Sequence, residues 1–318
     1  MFQQIKNITK KTFFKIKKNE EQPLLNEKEI LELFYRCKNN KKSLQQKNDI
    51  AFKQIGDYQS IYRGQGMDYE ESRRYQPGDD PRYMNWQVSA KTGQYYMKVF
   101  REERQPGVFI LVDRRHSMRF GTQNQLKITQ AVRAAAIAAF SAQENNHSIG
   151  GVIIDDDINW IKESNNKQSS FNFITQAAHS APALFEKKIN QAKLIDILSM
   201  LNEVLVEGST VYLISDFHDL NSANQPTLLQ LSTKHKIYAI QITDPAEHVL
   251  PKAGNITLKP SILSEQQQLN SNSLKQQESY KSAASYYFAR KKSLFEDVAI
   301  SYQTIFTTDN EIENKIIL

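Results

Sequence analysis

The 318-residue chain contains one cysteine, Cys37, which excludes an intramolecular disulfide and a cysteine-based zinc cluster. That usage fits a reducing compartment. No stretch approaches the ~20 consecutive apolar residues of a membrane-spanning helix. The most apolar run, residues 131–140, is too short and holds Arg133. The N-terminus lacks the continuous apolar core of a secretory signal, so the expectation is a soluble, cytoplasmic protein. Catalytic signatures are missing as well. There is no H-E-x-x-H pair, no G-x-S-x-G elbow and no phosphate-cradling P-loop. His116 and Ser117 are adjacent, but sequence neighbours seldom form a nucleophile–base pair. An enzyme is not expected. No internal repeat is visible, and only residues 266–277 are biased, toward Gln, Ser and Asn.

What is present is enough apolar material, 40% of residues, for about two compact domains. The formal charge of +6 is unevenly placed. Residues 1–53 hold 13 Lys or Arg against 6 Asp or Glu, leaving 28 against 29 for the rest. The basic balance therefore belongs to one end and does not describe a nucleic-acid-binding body. Residues 1–22 read as a basic leader. Its opening FQQIKNITKKTFFKIKK mixes Phe2, Ile5, Phe13 and Ile16 with six lysines. A solvated leader is the simpler reading; weak contact with an anionic membrane surface is the other.

Residues 24–37 carry apolar side chains at helical spacing with Asn26 as N-cap, and residues 38–48 read as a loop. Residues 50–104 change to short Tyr-rich segments broken by Gly, Pro and Asp, as in small strands and turns. Residues 23–106 are therefore grouped as an N-terminal helix with a β-rich subdomain. Beyond residue 107 strands and helices alternate. Strands are expected at 108–112, 149–154, 158–161, 210–214, 236–242 and 301–306. Helices are expected at 127–142, 193–206, 227–232 and 273–297, with a surface hairpin from 256–261 and 265–272. The fold class is α/β, a doubly wound and mostly parallel sheet.

In such a sheet ligands sit beyond the carboxyl ends of the strands. VFILVDRRHSM places Asp113 at one strand tip and Ser117 in the next turn, and TVYLISDFHD places Ser215 and Asp216 at another. Two carboxylates and a hydroxyl at one edge suit magnesium. The alternative is that Asp113 and Asp216 cap helices or pair with Arg114 and Arg115. Asp155, Asp156 and Asp157 are expected to form an exposed turn.

The stretch RGQGMDYEESRRYQPGDDPRYMNWQVSAKTG, from Arg63, resembles the domain of unknown function 58 family. The family's places fall on Gly64, Gly66, Asp68, Tyr69, Arg74, Gly78, Asp79, Asp80, Arg82, Asn85, Trp86, Ser89, Ala90 and Lys91. Asn85 and Lys91 depart from the acidic residue and the arginine of the pattern. LVDRRHSM, LISDF and ITDPAEHVLP follow in family order. The resemblance implies a bacterial protein whose residues 107–318 form a von Willebrand factor type A-like domain with a metal-ion-dependent adhesion site. Asp113, Ser117 and Asp216 fit that site as metal ligands. Arg115 stands where a first serine belongs, and no Gly-x-Thr precedes the helix at Lys193, so the site is expected to be degenerate and to need no cofactor. The resemblance also implies a MoxR-type AAA+ ATPase as partner, with this chain as its adaptor. On that reading Asp113, Arg115, Ser117 and Asp216 form the contact, and Arg115 receives a partner carboxylate in the metal's place. A working magnesium-dependent module is the alternative, and a metal-dependent hydrolase a further one. Gly64 and Gly66 are expected to permit tight turns. Arg74, Asp79, Asp80 and Arg82 are expected to form an ion-pair network locking the subdomain to the sheet, and Trp86 to be a buried anchor.

Overall fold

The computed structural model describes residues 23–52, 68–101, 106–166, 168–180, 192–258 and 267–316. The basic leader, Gly64 and Gly66 lie outside the described residues. The chain divides into two compact units, residues 47–105 and residues 1–46 with 106–318.

The larger unit is built on six strands in the order β10-β7-β6-β3-β4-β5. These are β3 (Val108–Asp113), β4 (Ile149–Ile154), β5 (Ile158–Ser164), β6 (Thr210–Ser215), β7 (Lys236–Thr243) and β10 (Ser301–Phe306). All neighbours run parallel except β5, which returns antiparallel beside β4. β3 reads VFILVD and is buried at every position, as a strand covered on both faces must be. β5 is mostly exposed, which marks the edge.

The period-2 alternation sorts the side chains into two cores. Ile110, Val112, Tyr212 and Ile240 face α1 (Glu27–Phe52), α3 (Lys127–Glu144) and α4 (Ser169–Ala177). Phe109, Leu111, Val211 and Leu213 face α5 (Leu194–Val204), α6 (Gln225–Lys234) and α8 (Leu274–Glu296). The alanines of α3 are buried and leave the helix able to lie close on the sheet. Gly151 on β4 serves the same closeness, since a Cβ there would meet the Ile110 carbonyl and the Phe173 ring. The expected doubly wound, mostly parallel architecture is present. A short hairpin of β8 (Asn255–Leu258) and β9 (Gln267–Asn270) is present where expected.

Three local expectations change. Residues 38–48 continue α1 to Phe52 instead of forming a loop, because the Lys- and Gln-rich stretch contains neither Gly nor Pro. The first turns of α1 belong to the larger unit's core, not with the β-rich segment. Leu25, Ile30 and Leu33 are buried there, and Phe34 meets the Phe140 and Phe171 rings at 5.2 and 5.6 Å. Helix α4, which the pattern left unassigned, buries Phe173 and Ile174.

The smaller unit pairs β1 (Asp68–Arg74) antiparallel with β2 (Tyr96–Arg101) around α2 (Trp86–Thr92). Asn85 caps α2 and donates its side-chain amide to Ser72 Oγ at 2.8 Å. An acidic residue could not make that donation. Asp79 pairs with Arg73 at 2.5 Å, rather than with Arg74, and Asp80 pairs with Arg82 at 2.7 Å. Asp80 also caps the turn Pro81–Tyr83, and Gly78 takes a φ of 106°. These are local pairs that shape one turn, not a network. Trp86 is 66% exposed, so it is not a buried anchor; it opens a short helix whose buried residue is Ser89.

Candidate functional site

β3 leads through α3 to β4 on one side, while β6 lies on its other side. The chain therefore diverges between the carboxyl ends of β3 and β6, the place in an open α/β sheet where ligands are expected. Asp113 ends β3, and Ser215 and Asp216 end β6.

Asp113 is fully buried and its carboxylate is satisfied from within the chain. It accepts the Arg115 backbone N–H at 2.9 Å, Arg115 Nε at 3.0 Å, Arg115 Nη2 at 2.8 Å and Ser215 Oγ at 2.6 Å. The same guanidinium donates to Asp219 at 2.6 and 3.1 Å and to the Ala192 carbonyl at 3.1 Å. All five of its N–H donors are thus used. Burial alone would lower the Arg115 pKa; the Asp113 charge, with the bonds to Asp113 and Asp219, outweighs it and raises the value. Asp219 also accepts the Leu194 N–H at 2.9 Å, which ties the start of α5 to the site.

Asp216 is handled in parallel by Lys127, from the first turn of α3. Lys127 Nζ, with 2% of its side chain exposed, donates to Asp216 at 2.9 Å and to Glu247 at 2.8 Å. Burial works against the ammonium charge, but Asp216 and Glu247 overcome it and raise its pKa. Burial likewise opposes the Asp216 charge, while Lys127 and His218 hold its carboxyl well below the usual range. Glu247 belongs to α7 (Pro245–His248), where Asp244 is the N-cap and Glu247 closes a capping box. Asp244 is itself buried and accepts from the Thr122 N–H at 2.9 Å, from the Thr122 hydroxyl and from the Thr307 hydroxyl at 2.7 Å.

Ser117, His218 and Asp216 form a short chain of contacts, at 3.2 Å from Ser117 Oγ to His218 Nδ1 and 3.0 Å from Nδ1 to Asp216. Both contacts fall on the same ring nitrogen. A hydrolytic triad needs the hydroxyl and the carboxylate on opposite nitrogens, so this arrangement does not relay a proton. The bond to Asp216 raises the His218 pKa. Behind the β6 loop Lys291 of α8 donates to the carbonyls of Phe217, at 2.6 Å, and Leu220, holding Phe217 at a φ of 52°. On the other flank Arg114 pairs with Asp155 at 3.0 Å and donates to the Ala177 carbonyl at 2.7 Å, while Arg119 pairs with Asp155 and Asp156. The aspartate turn is therefore half-buried and pinned to the β3 loop, not simply exposed.

The structure brings Asp113, Arg115, Ser117 and Asp216 to one strand-end cluster. The residues do not fit a magnesium ion there. Both Asp113 oxygens are taken by Arg115 and Ser215, both Asp216 oxygens by Lys127 and His218, and a buried guanidinium repels a divalent cation. Among the described residues no group of three or more His, Cys, Asp or Glu is arranged to hold a metal ion. Arg115 also cannot take the role of receiving a partner's carboxylate. It is 2% exposed and its donors are already committed inside the chain. Sequence reasoning missed Lys127, Glu247 and Lys291. Of these only Glu247 carried a signal, the D-P-A-E capping pattern within ITDPAEHVLP.

Residues 71–288 match the family described as protein of unknown function DUF58. The chain belongs to the DUF58 family. The matched segment includes Arg74, Gly78, Asp79, Asp80, Arg82 and Trp86 and every strand-end residue from Asp113 to Glu247. Uncharacterized proteins of Mycobacterium tuberculosis and Mycobacterium bovis are 28% identical over 205 residues, 64% of this chain and 63% of theirs. The DUF58 chain thus spans under two thirds of the length of those relatives. Among solved structures it is similar to the hypothetical protein BatB of Bacteroides thetaiotaomicron, at 14% identity and a TM-score of 0.44 over 67% of this chain and 95% of that one. An aerotolerance-related membrane protein of Bacteroides fragilis gives 12% identity and the same TM-score of 0.44, over 67% and 96%. The architecture of the larger unit is defined by its own strand order, β10-β7-β6-β3-β4-β5.

Proposed function

We propose that this protein is a non-enzymatic, cytoplasmic interaction module, an adaptor for a MoxR-type AAA+ ATPase in protein remodelling. Its larger unit is read as a von Willebrand factor type A-like domain whose adhesion site works without metal. The observation that carries this reading is the neutralisation of the strand-end carboxylates from inside. Arg115 locks Asp113 to Asp219, and Lys127 locks Asp216 to Glu247. In an adhesion site a divalent cation cross-links such loops; here a guanidinium and an ammonium do so permanently. The loops are held ready for a partner with no ion to bind or lose. The absence of a proton relay through His218 favours binding over hydrolysis. No described helix is long and apolar enough to cross a membrane.

The test is capture of the tagged protein's partners from native lysate, divided between magnesium and EDTA and read by mass spectrometry. An AAA+ ATPase recovered equally in both buffers supports a metal-independent adaptor. Recovery only with magnesium, after control for the ATPase's own requirement, refutes metal independence. No ATPase in either buffer removes the adaptor role.

A further inference from the structure

The loop that leaves β6 is strained at one residue. Phe217 holds a φ of 52°, in the left-handed region that a bulky side chain enters only at a cost. Its ring is 0% exposed and meets Phe295 at 4.7 Å, so a glycine could not fill its place in the core. We propose that Lys291 of α8 is the positioning residue that keeps this loop in its strained state, and that His218 stays on Asp216 only while Lys291 holds the backbone there. The loop's state does not depend on which partner the adaptor reading assigns.

Lys291 is buried together with Leu294 and Phe295, three and four residues further along the inward face of α8. Its ammonium donates to the Phe217 carbonyl at 2.6 Å and to the Leu220 carbonyl, and lies 3.5 Å from the His218 carbonyl. The Tyr287 ring flanks it at 5.2 Å. Arg115 and Lys127 bond carboxylate side chains, whereas Lys291 gathers main-chain carbonyls and so acts on the course of the backbone. Burial lowers the Lys291 pKa, and the charges of Asp219 and Asp216 oppose that shift. Carbonyl oxygens crowded about one buried point are costly to leave without a donor.

The effect falls on the strand-end cluster. With Phe217 left-handed the chain turns back on Asp216, whose carboxylate accepts the His218 N–H at 3.2 Å and meets ring Nδ1 at 3.0 Å. The Phe217 N–H donates to Ser215 Oγ at 2.9 Å, and that hydroxyl donates to Asp113. Rotation of φ at Phe217 displaces everything beyond it, so a return to negative φ takes His218 off Asp216. Around His218 stand Asp216 and Asp219 of its own loop, Arg115 and Ser117 of the β3 loop, Glu247 of α7 and Tyr287 of α8. Lys127 reaches the same Asp216 carboxylate from α3.

The full chain, labelled with ¹³C and ¹⁵N, is read by NMR in the wild type and in Lys291→Met, which keeps an apolar stem and removes the ammonium. Lys292→Met, at an exposed position one residue on, is the control. The wild-type His218 pKa should lie above 6.5. Loss of a nearby positive charge alone raises that value further, whereas loss of the loop's course brings it down toward 6.5. The expected result for Lys291→Met is the fall, with a negative φ at Phe217 from scalar couplings. The Phe217 and His218 amide hydrogens should also exchange at least about tenfold faster. Lys292→Met should change none of these. A His218 pKa that stays or rises in Lys291→Met, or a Phe217 that keeps its positive φ, overturns the proposal. A second measurement needs no variant to fold. In the wild type the Lys291 ammonium hydrogens should exchange with water at least about tenfold more slowly than those of the exposed Lys281 and Lys292. Equal exchange overturns the proposal as well.

Discussion

Replacing Arg115 with methionine keeps most of the side chain's length and apolar stem but removes the guanidinium. Asp113, 0% exposed, is then left with the Ser215 hydroxyl and one backbone N–H, and Asp219, 20% exposed, keeps the Leu194 N–H. Removing one member of a buried ion pair costs about 3–5 kcal/mol, mainly because the abandoned charge stays desolvated. Asp113 bears that penalty in full and Asp219, near water, only in part. The expected loss for Arg115→Met is about 4 kcal/mol, or roughly 8–16 °C in melting temperature for a unit of this size. Urea unfolding followed by far-UV circular dichroism measures it. Combining Arg115→Met with Asp113→Asn removes both charges, and the double variant should recover about 2 kcal/mol relative to the sum of the single losses. A loss below about 1 kcal/mol, the range of an exposed pair, would refute the assignment of Arg115 as internal counter-ion. So would strict additivity of the two substitutions.

Added magnesium should move the wild-type melting temperature by less than about 1 °C, because no binding to the folded state contributes. A larger rise that disappears in Asp216→Ala would mean that a cation competes with Lys127. Gly151→Ala should cost about 3 kcal/mol in urea unfolding, since the new methyl meets the Ile110 carbonyl and the Phe173 ring, and a neutral result would contradict that packing. The raised His218 pKa means that protonated His218 is favoured in the folded state. Its stabilising contribution is present in full below the ordinary histidine value of 6.5 and is lost as pH rises through the folded value. The stability gap between wild type and His218→Gln should therefore be widest below pH 6.5 and close as pH rises through the raised folded value; a pH-independent gap would rule out the His218–Asp216 contact. Trp86→Ala, at an exposed position, should change stability by less than about 0.5 kcal/mol.

The alternation of strands and helices, the two-sided burial of β3 and the placing of Asp113 and Asp216 at strand tips were all legible in the sequence. Each depends on local periodicity: a continuous apolar run such as VFILV must be covered on both faces, whatever covers it. The resemblance to DUF58 was legible for the same reason, as ordered short motifs. Length and exposure were less so. Residues 38–48 looked like a loop by polarity yet continue α1, and Trp86 looked like a core residue by type yet lies at the surface of a short capped helix. The state of the site was decided only in three dimensions. Lys127 lies 89 residues from Asp216 and Arg115 lies 104 from Asp219. Nothing in the local sequence marks Lys127 as a counter-ion, and the pairing of Arg115 with Asp113 stood there only as one of two open readings. An arginine in a hydroxyl's place can point into solvent, meet a partner or turn inward, and the choice depends on whether a second carboxylate is within reach. Here the loop after β6, the neighbour of β3, brings Asp219 to it, and the charges and hydrogen bonds of Asp113 and Asp219 together outweigh the cost of burying the guanidinium.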